Sequence, residues 1–178
     1  IYLTLKDNAK AEEYLKKAVE NSLISNDTKS LIWAYSSLGK LEMEKRNFIQ
    51  AEKYFKESLS LAEKTDFKLE IIHSLTDLGK YYLTIKRLLE AEEYLKQALV
   101  FAKELNSLSD LNVIYGALAN LYFDKKNFKE AFEYHKIYKT LSDSLFALSN
   151  NQQITELKTK YELKRIENES EQLKHENE

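Results

Sequence analysis

The chain has 178 residues, a formal net charge of −2, no Cys, no Pro and only three Gly. Charges of both signs are spread along it, which argues against a nucleic-acid-binding surface. Without cysteine there are no disulfides or thiolate metal sites. The sequence also lacks a run of about 18 apolar residues, the length that a membrane-spanning helix needs. Helix-forming residues dominate and turn-forming residues are scarce, so the composition predicts an all-α fold.

Residues 1–18 repeat the pattern of residues 81–98, which includes a helix end and a helix start. The chain is therefore expected to begin within a helix, as an excised fragment of a longer protein. Any contact with a membrane would then come only through flanking segments outside this sequence.

An eight-residue pattern recurs along the chain. Residues 91–98 read AEEYLKQA, residues 11–18 read AEEYLKKA, and residues 51–58 read AEKYFKES. The first alanine of each block recurs at a constant spacing, at Ala11, Ala51, Ala91 and Ala131. A period between 20 and 50 residues predicts a solenoid. We expect a partial first repeat followed by repeats at about 32–71, 72–111 and 112–148.

Each period divides into two predicted helices. In the second repeat, Ile32, Leu38 and Leu41 mark one face of a first helix, and a second helix runs from Phe48 to about Lys64. Asn47, and Asn127 two repeats later, are expected to take the left-handed conformation after the first helix. The dipeptide Thr65-Asp66 is predicted to cap the next helix at its N-terminus.

Small residues mark the predicted crossing of the two helices. Gly39, Gly79 and Ala119 would face the recurring alanine column, so that the helix axes can approach closely. A tyrosine column adjoins the core stripe and is predicted to serve inter-repeat packing; its members are Tyr14, Tyr54, Tyr94 and Tyr134.

The composition changes near Leu148. Residues 149–178 hold few large apolar side chains among many Gln, Asn, Glu and Lys residues. Ile154, Leu157 and Tyr161 fit a coiled-coil spacing that Lys164 then interrupts. We expect a long exposed C-terminal helix, with a homodimer through it as a possible assembly.

The recurring pattern resembles the tetratricopeptide repeat, or TPR. Leu75, Leu78, Gly79 and Tyr82 stand at the signature offsets, followed by Ala91 and Leu95. The resemblance implies a right-handed superhelix of antiparallel helix pairs. The departures are the 40-residue period, the missing Pro, Glu42 in a Tyr position and His135 in a Phe position. The longer period implies longer helices and looser inter-repeat turns.

The stretch from Asp143 to Glu162 is similar to the segment after the last TPR in bacterial membrane-anchored regulators. In those proteins a helical linker leads to a transmembrane helix and then to a histidine kinase or helix-turn-helix output domain. That resemblance implies a location on the periplasmic side of a membrane-anchored protein. If the resemblance does not hold, the expected location is cytoplasmic.

The sequence carries no arrangement expected of an enzyme. Its three histidines, His73, His135 and His175, form no ligand pair on one helix face, and there is no Gly-rich phosphate loop. We therefore predict a non-catalytic chain with no metal and no cofactor.

The resemblance to TPR ligand grooves places a peptide-binding surface on the first helices. Lys40, Lys80 and Asn120 would form a column of hydrogen-bond donors for an extended peptide, with Trp33 and Phe123 as aromatic anchors. The alternative is that Lys40 and Lys80 are merely solvated and that Trp33 covers the first repeat. The full predicted set is Trp33, Ser37, Lys40, Met43, His73, Asp77, Lys80, Asn120 and Phe123.

These resemblances lead to the hypothesis of a protein- or peptide-binding module in the sensory or scaffolding region of a bacterial signalling protein. Two alternatives stay open. One is a soluble peptide-pheromone sensor, and the other is a structural assembly scaffold without signalling output.

Overall fold

The computed structural model describes residues 8–176, and the side chains of residues 8–164. Over this range the chain forms seven α-helices and no strand. The helices are α1 (Asn8–Ile24), α2 (Thr28–Glu44), α3 (Phe48–Lys64), α4 (Lys68–Thr84), α5 (Leu88–Glu104), α6 (Leu108–Asp124) and α7 (Phe128–Glu176). The all-α solenoid predicted from the sequence is confirmed, and α3 ends at Lys64 as expected.

The first six described helices each have 17 residues, and the spacing between successive helix starts is constant. Two helices therefore make up one period of the sequence. We call α2, α4 and α6 the A helices, and α1, α3, α5 and the start of α7 the B helices. Consecutive helices pack against one another, so the array consists of antiparallel pairs.

The chain separates into two compact units, residues 1–138 and residues 139–178. The predicted boundary between residues 148 and 149 stays a prediction, as do the predicted repeat limits. The sequence expectation for the first residues of the chain lies outside the described residues.

Glycine permits the close crossing of each helix pair. A Cβ atom placed on Gly39 would come within 2.6 Å of the Phe55 ring, and one on Gly79 within 2.6 Å of Leu95 Cγ. Both distances are too short for any real side chain, so α2 against α3 and α4 against α5 need glycine at these positions. The predicted small-residue crossing is confirmed for these two pairs, and Ala51 and Ala91 are fully buried beside it.

All six turns between the described helices share one backbone geometry. In the turn after α2, the Arg46 amide donates to the Met43 carbonyl at 2.9 Å and the Asn47 amide to the Glu42 carbonyl at 2.8 Å. This is the Schellman pattern, which needs a left-handed residue at the position before the last. That residue is Asn26, Arg46, Asp66, Lys86, Asn106 or Lys126, with φ between 49 and 62°.

The geometry of these turns corrects three sequence predictions. Asn47 is not left-handed: its φ is −88° and it begins the next helix, while Arg46 takes the strained conformation. Likewise Lys126 takes it rather than Asn127. The residues Thr65-Asp66 do not cap α4; its N-cap is Phe67. Instead, Thr65 Oγ1 donates back to the Leu61 carbonyl at 2.9 Å and closes α3.

The turns between repeats are no looser than those within them, contrary to expectation. Each turn has the same length and the same hydrogen bonds, because the spacing of the helix starts does not change along the array. The longer period therefore lies entirely in the longer helices.

A glutamate of one B helix binds the following A helix. Glu52 Oε1 accepts a hydrogen bond from Tyr82 at 2.7 Å, and Glu92 Oε1 accepts one from Tyr122 at 2.6 Å. Lys56 and Lys96 lie 2.6 Å from the same carboxylates. These contacts join each repeat to the next one.

The same contact explains why Glu42 can occupy a position where the repeat pattern has Tyr. Glu42 stands where the other repeats have Tyr82 and Tyr122, so a direct contact with Glu12 would place two carboxylates together. Lys45 lies between them, with its ammonium 3.0 Å from Glu42 and also bonded to Glu12. A cation thus replaces the tyrosine hydroxyl in joining the first two repeats.

The tyrosine column packs within repeats rather than between them. The Tyr54 ring stacks on Tyr35 at 6.0 Å, and the Tyr94 ring on Tyr82 at 5.3 Å, in each case within one helix pair. The predicted inter-repeat role is wrong for these contacts, because the B-helix tyrosine lies over its own A helix. Tyr82 takes part in both kinds of packing: its ring stacks on Tyr94 within the helix pair, and its hydroxyl binds Glu52 of the preceding repeat.

The second unit is helical, and the side chains of residues 151–164 are all exposed. Ile154, Leu157 and Tyr161 are 50, 67 and 72 % exposed, so the predicted exposed helix is found over these residues. No helix in the described range combines the length and the apolarity needed to cross a lipid bilayer.

Candidate functional site

The A helices lie side by side, α2 against α4 and α4 against α6. Cross-helix contacts join equivalent regions of successive repeats: Trp33 meets His73 edge-on at 6.1 Å, and Ser36 Oγ donates to Asp77 Oδ2 at 2.5 Å. Neighbouring A helices therefore run in the same direction and in register. Equivalent positions of successive repeats form rows across this layer.

A groove of about 330 Å³ lies on the A-helix layer between α2, α4 and the start of α6. Its walls combine hydroxyls, carboxylates and two lysines with the apolar surfaces of Ile32, Trp33 and Val113. Trp33 is 59 % exposed and also lines a second depression beside α1, so its indole stands at the rim.

Lys40 and Asp77 form an ion pair across the groove. The Lys40 ammonium lies 2.8 Å from Asp77 Oδ2, and this same oxygen accepts the hydrogen bond of Ser36. The Asp77 side chain is only 11 % exposed, whereas that of Lys40 is 52 % exposed. Two residues of α2 thus hold one nearly buried carboxylate of α4.

His73 and Asp110 form a second polar contact, between α4 and α6. His73 Nε2 lies 3.1 Å from Asp110 Oδ1, and Ser107 Oγ donates to the other oxygen of Asp110 at 2.6 Å. Trp33 packs against the His73 ring from the opposite side. An aromatic residue, a histidine and a carboxylate therefore follow one another across three helices.

The floor of the groove is polar and fully hydrogen-bonded. Ser58 of α3 and Ser74 of α4 are buried, with their hydroxyls 2.8 Å apart, and Ser58 Oγ also donates to the Ile32 carbonyl at 3.2 Å. Because these hydroxyls bind one another and a backbone carbonyl, the polar groups of the floor have hydrogen-bond partners without a ligand.

A second groove of about 670 Å³ continues along α4, α6 and the start of α7. Its walls include Asn120, Val113, His135 and Tyr138. Lys80 lines both grooves. Desolvation by the walls of the two grooves lowers the pKa of Lys80, although its side chain is exposed to solvent.

The structure brings most of the predicted site residues together. The first groove contains Trp33, Ser37, Lys40, His73, Asp77 and Lys80, and the second contains Lys80 and Asn120. Met43 lines neither groove and packs against the hydrophobic core. Phe123 also lies outside both and packs edge-on against Phe128 at 5.6 Å.

The prediction missed Asp110, the hydroxyl pair of Ser58 and Ser74, and the wall formed by His135 and Tyr138. Asp110 follows His73 at the same sequence offset at which Asp77 follows Lys40, but this offset becomes informative only once the contact of Lys40 with Asp77 is known from the structure. Tyr138 gave no signal in the sequence, because its wall position depends on the absence of a side chain at Gly116, where a Cβ would lie 3.2 Å from its ring.

Comparison with known families agrees with this architecture. A family model described as "Tetratricopeptide repeat" matches residues 30–104, and a second model of that description matches residues 1–22. Together the matches cover more than half of the sequence. The chain belongs to the tetratricopeptide-repeat family. Domains of this family bind proteins or peptides, so the chain is a protein-interaction module.

A solved structure shares the fold of this TPR chain. The crystal structure of BtubC (BKLC) from P. vanneervenii superposes with a TM-score of 0.71 at 18 % sequence identity. The match covers 80 % of this chain and 58 % of the BtubC chain. At this identity the likeness concerns the fold alone. No curated protein matches the TPR chain at a significant level.

Proposed function

We propose that the A-helix layer of this TPR chain binds an extended peptide segment of a partner protein, without catalysis. The observation that carries the proposal is the pair of grooves joined at Lys80, which together run from Trp33 on α2 to Asn120 on α6. A surface shared by three repeats suits an extended ligand that contacts several helices at once.

The contacts within the groove indicate different roles for its residues in peptide binding. Lys40 is engaged by Asp77, so its role is to fix the geometry of the wall. Lys80 and Asn120 offer donors for backbone carbonyls or a carboxylate of the peptide. Trp33 and Val113 give apolar surface for one side chain of the peptide, of the kind that dominates binding at interfaces.

The proposal is tested by selecting binders from a library of random peptides displayed on phage. Peptides selected on the wild-type chain should bind the Lys80→Ala and Trp33→Ala variants at least about tenfold more weakly, as expected of interfacial hot spots. A control variant, Lys53→Ala with Lys103→Ala, removes exposed lysines from α3 and α5 and should bind as the wild type does. Peptides that bind all three variants equally would contradict the proposal.

The biological setting proposed for this module is the sensory or scaffolding region of a bacterial signalling or transcription-regulatory protein. The similarity of the stretch from Asp143 to Glu162 to the linker of membrane-anchored regulators supports it. A soluble pheromone sensor and an assembly scaffold remain the alternatives. Expression of the chain fused to a reporter kinase domain would separate them, since only a sensor should change kinase activity when a selected peptide binds.

The homodimer predicted for the C-terminal helix stays a prediction. The exposed side chains of Ile154, Leu157 and Tyr161 are its basis. Sedimentation equilibrium tests it: a dimer that becomes a monomer on Leu157→Lys supports the assembly, and a monomeric wild type contradicts it.

A further inference from the structure

The six turns of the described array fall into two chemical classes although their backbones are alike. The turns from an A helix to a B helix place Arg46, Lys86 and Lys126 in the left-handed conformation. The turns from a B helix to an A helix place Asn or Asp there, at Asn26, Asp66 and Asn106. Asn and Asp adopt this conformation readily, whereas Arg and Lys carry a steric cost.

The helix dipole does not explain the difference. Basic residues are stabilised at the C-terminus of any helix. The dipole of α3 is the same as that of α2, yet α3 is followed by Asp66 and α2 by Arg46. Lys6 stands one period before Arg46 in the sequence, outside the described residues, so all four positions of this column are basic.

The three basic turns lie along one edge of the array. Because the A helices run in the same direction and in register, their C-terminal ends are neighbours. Lys86 reaches the end of the next A helix, with its ammonium 2.8 Å from Asp124 Oδ2. The side chains of Arg46, Lys86 and Lys126 are all exposed. A further basic residue adjoins each of them, but all three are ion-paired: Lys45 with Glu12 and Glu42, Arg87 with Glu90, and Lys125 with Glu92.

Exposed apolar side chains accompany these cations. Ile49 and Leu89, the second residues of α3 and α5, are 86 and 76 % exposed. Phe128, the first residue of α7, is 57 % exposed. We call the set Arg46, Lys86, Lys126, Ile49 and Leu89 the basic edge. Cations beside protruding apolar side chains are the combination that holds proteins at the surface of anionic membranes.

We propose that the basic edge binds the surface of a membrane containing anionic lipids. Arg46 and Lys126 would contact lipid phosphates, and Lys86 would do so by exchanging its contact with Asp124 for a phosphate. Ile49 and Leu89 would enter the interface between headgroups and acyl chains. The edge consists of projecting turns and lines neither groove, so it suits a planar partner better than a peptide.

The test is flotation of the 178-residue chain with vesicles of phosphatidylcholine, alone or with phosphatidylserine. The chain should bind only the vesicles that contain phosphatidylserine. The variant Arg46→Asn, Lys86→Asn, Lys126→Asn removes three charges and keeps residues that accept the left-handed backbone, so it should fold at least as well as the wild type. Its partition coefficient should fall roughly fivefold for each charge, about a hundredfold in all.

A matched control removes the same charge from elsewhere. Lys64→Gln, Lys68→Gln, Lys103→Gln changes exposed lysines near the opposite edge and should leave vesicle binding unchanged. A further variant, Ile49→Gln with Leu89→Gln, should weaken binding while keeping the charge. Unchanged binding of this variant would contradict the role of the two aliphatic side chains.

Three results would overturn the proposal. They are equal binding to vesicles of phosphatidylcholine alone, equal loss in the control variant, and no vesicle binding by the wild type. In the last case, binding of polyglutamate or duplex DNA by the basic edge would assign it to an acidic protein or to nucleic acid instead.

Discussion

The Lys40 ammonium lies 2.8 Å from Asp77 Oδ2, and this contact joins the first two described A helices across the groove. Lys40 is therefore part of the wall rather than a free donor. His73 and Asp110 make a second contact of this kind between α4 and α6, at a different position of the repeat, since the residue equivalent to Lys40 is Lys80.

Asp77→Ala is expected to cost about 1–2 kcal/mol of unfolding free energy, because the nearly buried carboxylate accepts a charged and a neutral hydrogen bond. The matched control is Asp124→Ala, which removes another Lys–Asp contact of 2.8 Å, between Lys86 in the turn after α4 and the last residue of α6. That contact is more exposed, so its loss should cost less than about 0.5 kcal/mol. Urea denaturation measures both. Equal costs would show that the Asp77 contact is no better protected than a surface pair.

Gly79→Ala should destabilise the array by about 1–3 kcal/mol, because the new Cβ would lie 2.6 Å from Leu95 Cγ and force the α4–α5 pair apart. Gly116→Ala is the comparison, since its Cβ would meet the Tyr138 ring at 3.2 Å, where a small shift relieves the contact. The helix preference of alanine over glycine offsets that shift, so this variant should stay within about 1 kcal/mol of the wild type. Thermal unfolding of both variants checks the order; the reverse order would contradict the packing described for α4 and α5.

Lys126→Gly should stabilise the chain by roughly 0.5–1 kcal/mol, since glycine takes the left-handed conformation without steric cost. Lys126→Ala keeps the Cβ and the strain, so its stability should match that of the wild type. Asn106→Gly should gain less than Lys126→Gly, because asparagine already tolerates the conformation. Denaturation midpoints of the three variants give the answer. A gain in Lys126→Ala as large as in Lys126→Gly would point to charge rather than to backbone strain.

Much of this fold could be predicted from the sequence, because the same packing recurs in each repeat and requires the same residue types at the same positions. The close helix crossing could be predicted from residue type alone, because only small residues fit at Gly39, Gly79, Ala51 and Ala91. The turns were harder. Asn47 looks like the residue suited to a left-handed backbone, but the Schellman hydrogen bonds require that conformation one position earlier, at Arg46, whatever residue stands there.

The candidate site was predictable in its location but not in its chemistry. Helical spacing places Lys40 and Asp77 on the same layer, and only the register of α2 against α4 shows that they bind each other. Phe123 was assigned to the groove by its offset in the repeat. Its ring instead packs on Phe128, because the turn into α7 brings another aromatic side chain beside it.

Acid should weaken the contacts between repeats. Burial alone would raise the pKa of Glu92, but hydrogen bonds from Lys125, Lys96 and Tyr122 lower it to about 2. The folded chain therefore binds fewer protons than the unfolded chain between about pH 4.5 and pH 2, and stability falls as the pH falls through this range. Glu92→Gln should be less stable than the wild type at neutral pH, and the difference should shrink as the medium becomes acidic. Melting temperatures across the range test this; a constant difference would contradict it.

Peptide binding by the A-helix layer is tested most directly by mapping where a selected peptide binds. Backbone amide chemical shifts of the 178-residue chain, recorded with and without the peptide, report the contact surface residue by residue. We expect the largest changes on α2, α4 and α6, around Trp33, Lys80 and Asn120, with little change on α3 and α5. Changes concentrated on α3 and α5 would place the binding surface on the B helices and contradict peptide binding by the A-helix layer.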